Sequence, residues 1–94
     1  MYTWIIYDTT DNRQRTKVAD RCRQLGLQRV QRSVFLGKVR KRLLSDFQRE
    51  APGLINFKTD RLFIVPMSRK QYEEMARLGK AVPRLAARGD TLFF

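Results

Sequence analysis

Apolar residues follow two rhythms along this chain, and the switches between them mark out its elements. Tyr2–Asp8 (YTWIIYD) and Asp60–Met67 (DRLFIVPM) are apolar at both parities, as strands covered on both faces are. In the first of these, Tyr2, Trp4 and Ile6 take one side, and Ile5 and Tyr7 the other. Asp11–Leu25 carries Val18, Cys22 and Leu25 at helical spacing with Ala19 at the flank. Asp11 is placed to cap that helix, with Gln14 at N3, and Gly26 to stop it. Gln28–Gly37 (QRVQRSVFLG) is β-branched and aromatic, hence extended. Val30, Val34 and Leu36 share one parity there, and Phe35 lies on the other with Arg29, Gln31 and Ser33; a bend near Ser33 would split the run into two short strands.

The second half repeats the alternation. Lys38–Glu50 predicts a helix with Val39, Leu43, Leu44 and Phe47 inward, ended by Pro52-Gly53 and followed by a loop over Leu54–Thr59. Ser68 and Gln71 make a capping box for a third helix with Tyr72, Met75 and Ala76 inward. Gly79–Gly89 is irregular and basic, and Thr91–Phe94 (TLFF) reads as a short strand. This order in 94 residues predicts a single α+β domain, positions 1–94. The expected fold is a ferredoxin-like βαββαβ sandwich with a short extra C-terminal helix and strand. Positions 79–94 are expected to form a C-terminal extension packing at a dimer or partner interface. Because that fold places its helices on one sheet face, Trp4, Ile6, Phe63 and Val65, read as distributed over both faces, require a further cover. A homodimer burying the open face is expected; the alternative is a monomer whose C-terminal segment folds over it.

Charge then narrows the partners. With 20 Lys+Arg against 9 Asp+Glu and a net charge of +11, the chain is suited to a polyanion, most often nucleic acid. The cations occur in every element, which argues against a basic membrane-surface helix, and no apolar run approaches the length of a membrane span. The absence of histidine excludes histidine acid/base pairs, a Ser-His-Asp triad and a His-ligated metal. The single cysteine, Cys22, excludes a zinc finger and an internal disulfide. That lone cysteine, with Met1 leading straight into a strand and no signal peptide read there, makes a reducing, cytoplasmic setting the expectation.

Asp8 is the candidate for chemistry, because an apolar strand ends on it and a lone ionised carboxylate is costly to bury. Helical projection puts Arg15 near the sector of Val18 and Cys22, pointing toward that strand end. Two readings follow. Asp8 and Arg15 form an ion pair that fixes the strand–helix junction, or Asp8 is an oxygen ligand for Mg²⁺ or Mn²⁺ activating a water against a phosphodiester. A two-fold dimer would supply two copies of Asp8. Asp11 reads as a cap and Ser33 as a sheet hydroxyl. Arg13, Arg15, Lys17, Arg21 and Arg23, followed by Arg29 and Arg32, form the densest basic stretch, and Lys38, Arg40, Lys41 and Arg42 a second. As sets they read as phosphate contacts that carry no sequence information. Phe35 reads as a core aromatic, with base stacking as the other option.

Tyr7-Asp8, Asp11, Arg15, Lys17-Val18-Ala19, Gly26, Arg29-Val30-Gln31, Ser33-Val34-Phe35 and Gly37 together resemble the small CRISPR-associated endoribonuclease family, the second of the two universal adaptation proteins of CRISPR systems. The likeness covers the first 40 residues closely, and LFIVPMS and the short C-terminal strand also fit. The resemblance implies a ferredoxin-like fold and a symmetric homodimer. It implies Asp8 as the Mg²⁺-binding catalytic residue, one from each subunit facing the dimer cleft. It further implies metal-dependent cleavage of single-stranded RNA or double-stranded DNA, supported by Arg15, Lys17, Arg29 and Phe35. In adaptation, the dimer would bridge two dimers of the CRISPR integrase and hold the DNA destined to become a spacer.

The expected nucleic-acid contacts are thus Arg13, Arg15, Lys17, Arg29, Arg32, Lys38 and Arg40, with Tyr7, Ser33 and Phe35 in support. Three positions depart from the family pattern: Asn12 stands where a second acidic residue is common, Arg32 where an aromatic is, and Thr9 where Ile is. They remove negative charge or add positive charge near Asp8 and favour holding DNA over turning it over. The alternatives are a toxin-type ribonuclease of similar fold, which a neighbouring antitoxin gene would favour, and a non-catalytic ribosomal or RNA-recognition module. The RNA-recognition form expects a Lys/Arg-Gly-Phe-Gly/Ala-Phe strand, which the chain lacks.

Overall fold

The computed structural model describes residues 1–80. Its elements are β1 (Tyr2–Asp8), α1 (Asn12–Gln24), β2 (Gln28–Gln31), β3 (Val34–Lys38), α2 (Lys41–Glu50), a 3-10 turn (Ala51–Leu54), β4 (Arg61–Met67) and α3 (Arg69–Glu74). The strands form one sheet in the order β2-β3-β1-β4 with every pair antiparallel. This is the expected ferredoxin-like sandwich, with α3 as the extra helix. The expected strand over Thr91–Phe94 and positions 81–94 of the expected extension lie outside the described residues.

Local chemistry accounts for the boundaries. The Asp11 carboxylate accepts the N–H groups of Arg13 and Gln14 and so caps α1. The helix ends where Gly26 adopts φ +89°, a region that favours glycine. There, Gly26 N–H donates to Arg23 O and Leu27 N–H to Cys22 O, closing the last turn. Leu27 then drops onto Gly37, where a Cβ would stand 2.9 Å from Leu27 Cδ2 and 3.1 Å from Leu27 Cα. The bend expected near Ser33 is a turn at Arg32-Ser33 joining β2 and β3 into a hairpin, with a register shift between Arg29 and Gln31.

Helix α2 begins at Lys41, not Lys38. The sheet takes Lys38, which pairs with Tyr2. The next residue is held as well: Val39 N–H donates to Met1 O at 2.8 Å, and the N-terminal amine donates to Val39 O at 2.6 Å. With the helix phase set from Lys41, Leu44 and Phe47 are buried while Leu43 is exposed, contrary to expectation. Likewise α3 stops at Glu74, so Tyr72 is buried, Met75 is half-buried and Ala76 is exposed instead of facing inward. The Ser68–Gln71 capping box forms as expected.

The two sheet faces differ. One carries Ile5, Tyr7 and Phe35 under α1 (Val18, Ala19, Cys22) and α2 (Leu44, Phe47), closed by Leu25, Leu27 and Val39. Burial pushes the Cys22 thiol up to about 12, against the cations of Arg23, Arg21 and Arg29; it stays a protonated core side chain at neutral pH. On the other face, α3 folds back so that Tyr72 stacks on Tyr2 with ring centroids 4.2 Å apart. Leu36, Trp4, Val30, Met67 and Met75 join that cluster. The register Trp4↔Val65 and Ile6↔Phe63 places all four of the residues expected to be split between faces on this one face. Three of them remain open: Ile6 is 37% exposed, Val65 41% and Phe63 54%. Among the described residues, no helix is long and apolar enough to cross a membrane.

Candidate nucleic-acid interface

Asp8 closes β1 on the same parity as Trp4 and Ile6, at the rim of the open face. Its cross-strand partner is Arg61, whose Nη1 lies 4.0 Å from Asp8 Oδ2 with both side chains 74% exposed. An ion pair that exposed contributes little to stability. The expected Asp8–Arg15 pair is replaced: Arg15 donates to Thr9 O at 2.7 Å and to Asn12 Oδ1. Arg15 does reach the strand end, as projected, but its guanidinium is met by a backbone carbonyl and a helix side chain before it reaches the carboxylate.

The loop behind Asp8 is anchored by a second acid. Asp60 accepts the N–H groups of Asn56 at 2.8 Å and Thr10 at 3.2 Å, and the Thr59 hydroxyl at 3.0 Å. These donors, the Asn56 N–H foremost, hold its carboxyl below the usual carboxylate range. Asp60 thereby ties the β1–α1 loop to the start of β4.

The cations divide into separate groups. Arg15 and Arg23 of α1, with Arg29 of β2 and Arg32 of the hairpin turn, line one cleft together with Thr16 and Ala19. Arg13 and Lys17 are exposed on α1. Lys38 and Arg40 lie at the far end of the sheet, since Lys38 pairs with Tyr2; at about 3.3 Å per strand residue that is roughly 20 Å from Asp8. Lys38 Nζ sits 5.6 Å from the Tyr2 ring centre.

Among the supporting residues, Phe35 is wholly buried and serves as core, unavailable for base stacking. The Arg29 and Arg23 guanidinium groups lie over its ring at 5.3 and 5.9 Å. Ser33 sits in the turn, not in a strand, and its carbonyl accepts Tyr7 N–H at 3.0 Å. Tyr7 is buried against Phe35, with ring centroids 6.3 Å apart. Its hydroxyl is buried without a hydrogen bond of proper geometry; Arg29 approaches it off that geometry. Burial pushes the Tyr7 phenol above its ordinary value, which the Arg29 and Arg23 charges partly offset.

Among the described residues, no group of three or more His, Cys, Asp or Glu side chains gathers as a metal site. Among the described residues the chain offers Asp8 at this corner, with Arg61 beside it. Mg²⁺ keeps several waters and takes one or two carboxylates plus substrate phosphates. An exposed strand-end carboxylate fits such a site once a phosphate or a second copy's carboxylate completes it.

The family model for CRISPR associated protein Cas2 matches residues 1–75. The chain belongs to the Cas2 family. A protein of Pyrobaculum aerophilum named CRISPR-associated endoribonuclease Cas2 2 is 32% identical over 83 residues, covering 88% of this chain and 91% of that one. A protein of Thermoproteus tenax named as a fusion of endonuclease Cas1 with endonuclease Cas2 is 44% identical over 46 residues, 49% of this chain and 17% of its own length. Among solved structures, Cas2 of Streptococcus pyogenes at pH 6.5 superposes with a TM-score of 0.71 at 26% identity, covering 84% of this chain and all of that one.

Arg61 is not read as a site member from the sequence, and Arg23 is read as part of the basic stretch but not among the expected nucleic-acid contacts. Arg61 is opposite Asp8 only through the β1–β4 register, which no local pattern encodes. Arg23 had a visible signal: Arg15, Ala19 and Arg23 recur every four residues and so share a helix face.

Proposed function

We propose that the chain is a dimeric, nucleic-acid-binding subunit of CRISPR adaptation, working with the CRISPR integrase in spacer acquisition. In this reading, Asp8 from each of two copies holds Mg²⁺ or Mn²⁺ and gives the dimer metal-dependent endonuclease activity on single-stranded RNA or double-stranded DNA. The observation that carries the proposal is the common face of Asp8, Ile6, Phe63 and Val65. Burying a Phe or Val side chain contributes about 1.5–3 kcal/mol each, and pairing that face with its copy sets two carboxylates along one interface. The bound cation would neutralise phosphodiester charge and lower the pKa of its water. Asp8 would orient it, and Arg15, Lys17, Arg29 and Arg32 would hold the strand by its phosphates, with Arg13, Lys38 and Arg40 extending the cationic path.

The fusion of Cas1 with Cas2 in Thermoproteus tenax supports a partnership with the integrase, and the endoribonuclease name of the Pyrobaculum relative supports nuclease action. Arg61 beside Asp8 favours a second reading, in which the dimer holds DNA without cutting it. A cleavage assay of wild type and Asp8→Ala on RNA and DNA, with and without Mg²⁺, separates the two. Cleavage that needs Mg²⁺ and is lost in Asp8→Ala, with binding kept, supports the nuclease. Cleavage retained in the variant removes Asp8 from that role.

A further inference from the structure

Four arginines converge on one cleft between α1 and the β2–β3 hairpin: Arg15 and Arg23 from the helix, Arg29 and Arg32 from the hairpin. The cleft is open to solvent on one side and offers about 290 Å³. Its cations are held mostly by neutral groups. Arg15 is tied to the Thr9 carbonyl and the Asn12 amide oxygen, and Arg29 lies over the Phe35 ring. Arg23 has one carboxylate, Asp20 at 3.0 Å on its own exposed helix face. The Tyr7 hydroxyl, buried and without an aligned partner, feels Arg29 and Arg23 as its neighbouring cations. Four guanidinium groups gathered against their mutual repulsion are short of negative charge. A tetrahedral anion with several acceptor oxygens supplies it, and phosphate matches the planar fork of arginine.

We infer that this cleft is a preformed site for one phosphate group, distinct from the Asp8 corner. The source of that phosphate, a nucleic-acid strand, rests on the function proposed above. A phosphate inside a strand and a phosphate at a strand's end present the same chemistry. Asp8 follows the open-face parity of β1, whereas Arg29 shares the helix side with Phe35, to which it is paired. The cleft thus lies on the helix side of the sheet while Asp8 lies on the open side, with Arg15, bonded to Thr9 O, reaching from the cleft toward the end of β1; the cleft sets where a strand is held.

The test titrates the full chain with inorganic phosphate, following arginine Nε–H resonances by NMR. It then uses oligonucleotides of one sequence with a 5′-phosphate or a 5′-hydroxyl. Saturable shifts at Arg15, Arg23, Arg29 and Arg32 are expected. Binding should weaken about tenfold in Arg32→Gln, whose side chain is exposed in the turn, and stay unchanged in Lys58→Gln. A preference for the 5′-phosphate that Arg32→Gln removes assigns the cleft to a strand end. Equal binding of both oligonucleotides, weakened equally by the substitution, assigns it to a backbone phosphate. Unsaturated shifts spread over all cations, or an Arg32→Gln profile identical to that of Lys58→Gln, overturn the inference. If phosphate seats in the cleft while oligonucleotides fail to bind, the site stands and the nucleic-acid reading falls. If oligonucleotides bind with the four arginines silent, the reverse holds.

Discussion

The two faces of the sheet are built from the same kinds of residue and end in opposite states. Ile5, Tyr7 and Phe35 on one face are sealed under α1 and α2, while Ile6, Phe63 and Val65 on the other are left partly in water beside Asp8. Alternation along β1, β3 and β4 supplies both sets. What separates them is coverage: α1 and α2 are long amphipathic helices, whereas α3 spans only Arg69–Glu74 and covers the Tyr2–Leu36 end alone. Stability is therefore concentrated on the first face, and the second is the one left open for the association and chemistry proposed above.

The largest effect that would break this contrast is in the core. Phe35→Ala is expected to cost about 3–5 kcal/mol, as removal of a wholly buried ring does. Phe63→Ala should change monomer stability by under about 1 kcal/mol while raising a dimer dissociation constant at least tenfold. Denaturant melts at low concentration, paired with sedimentation, check both; equal destabilisation by the two substitutions would erase the distinction between the faces.

A smaller, pH-dependent effect is expected at the loop behind Asp8. The folded Asp60 carboxyl titrates below its unfolded value of about 3.9, because backbone N–H groups hold the ionised form. Its stabilising contribution is thus complete above the unfolded value and is lost as pH falls through the folded one. Wild type should lose Tm on acidification from pH 5 to pH 3 more steeply than Asp60→Asn, which starts from a lower Tm at pH 7. Parallel pH profiles would show that Asp60 anchors nothing.

The smallest effect concerns Arg61. Its pair with Asp8 is exposed on both sides, so Arg61→Gln should shift stability by no more than about 0.5 kcal/mol, and that small difference should fade at high salt. A larger loss, measured by thermal melts at low and high ionic strength, would mean that the corner is more enclosed than its exposure indicates.

Much of the fold is written in local pattern. The bounds of β1, the Asp11 cap, the Gly26 stop, the Ser68–Gln71 box and the turn at Ser33 depend on one to four neighbouring residues, and each is legible because the chemistry is local. The misjudged features are those that depend on distant chain. Lys38 became strand because Tyr2 lies beside it, and Leu43 turned outward because that pairing moved the helix start to Lys41. The candidate site was legible to the same degree. Asp8 and the basic stretches stand out in the sequence, as does their likeness to a CRISPR-associated family.

The sequence by itself determined the alternation of elements, the surplus of positive charge and the placement of a carboxylate at a strand end, since these need only composition and period. Tertiary structure alone decided that Asp8 meets Arg61 and not Arg15, that Arg23 joins Arg15, Arg29 and Arg32 around one cleft, and that Trp4, Ile6, Phe63 and Val65 share a face. Those facts follow from sheet register and helix docking, which are set by long-range pairing between segments that carry no mark of each other in the chain.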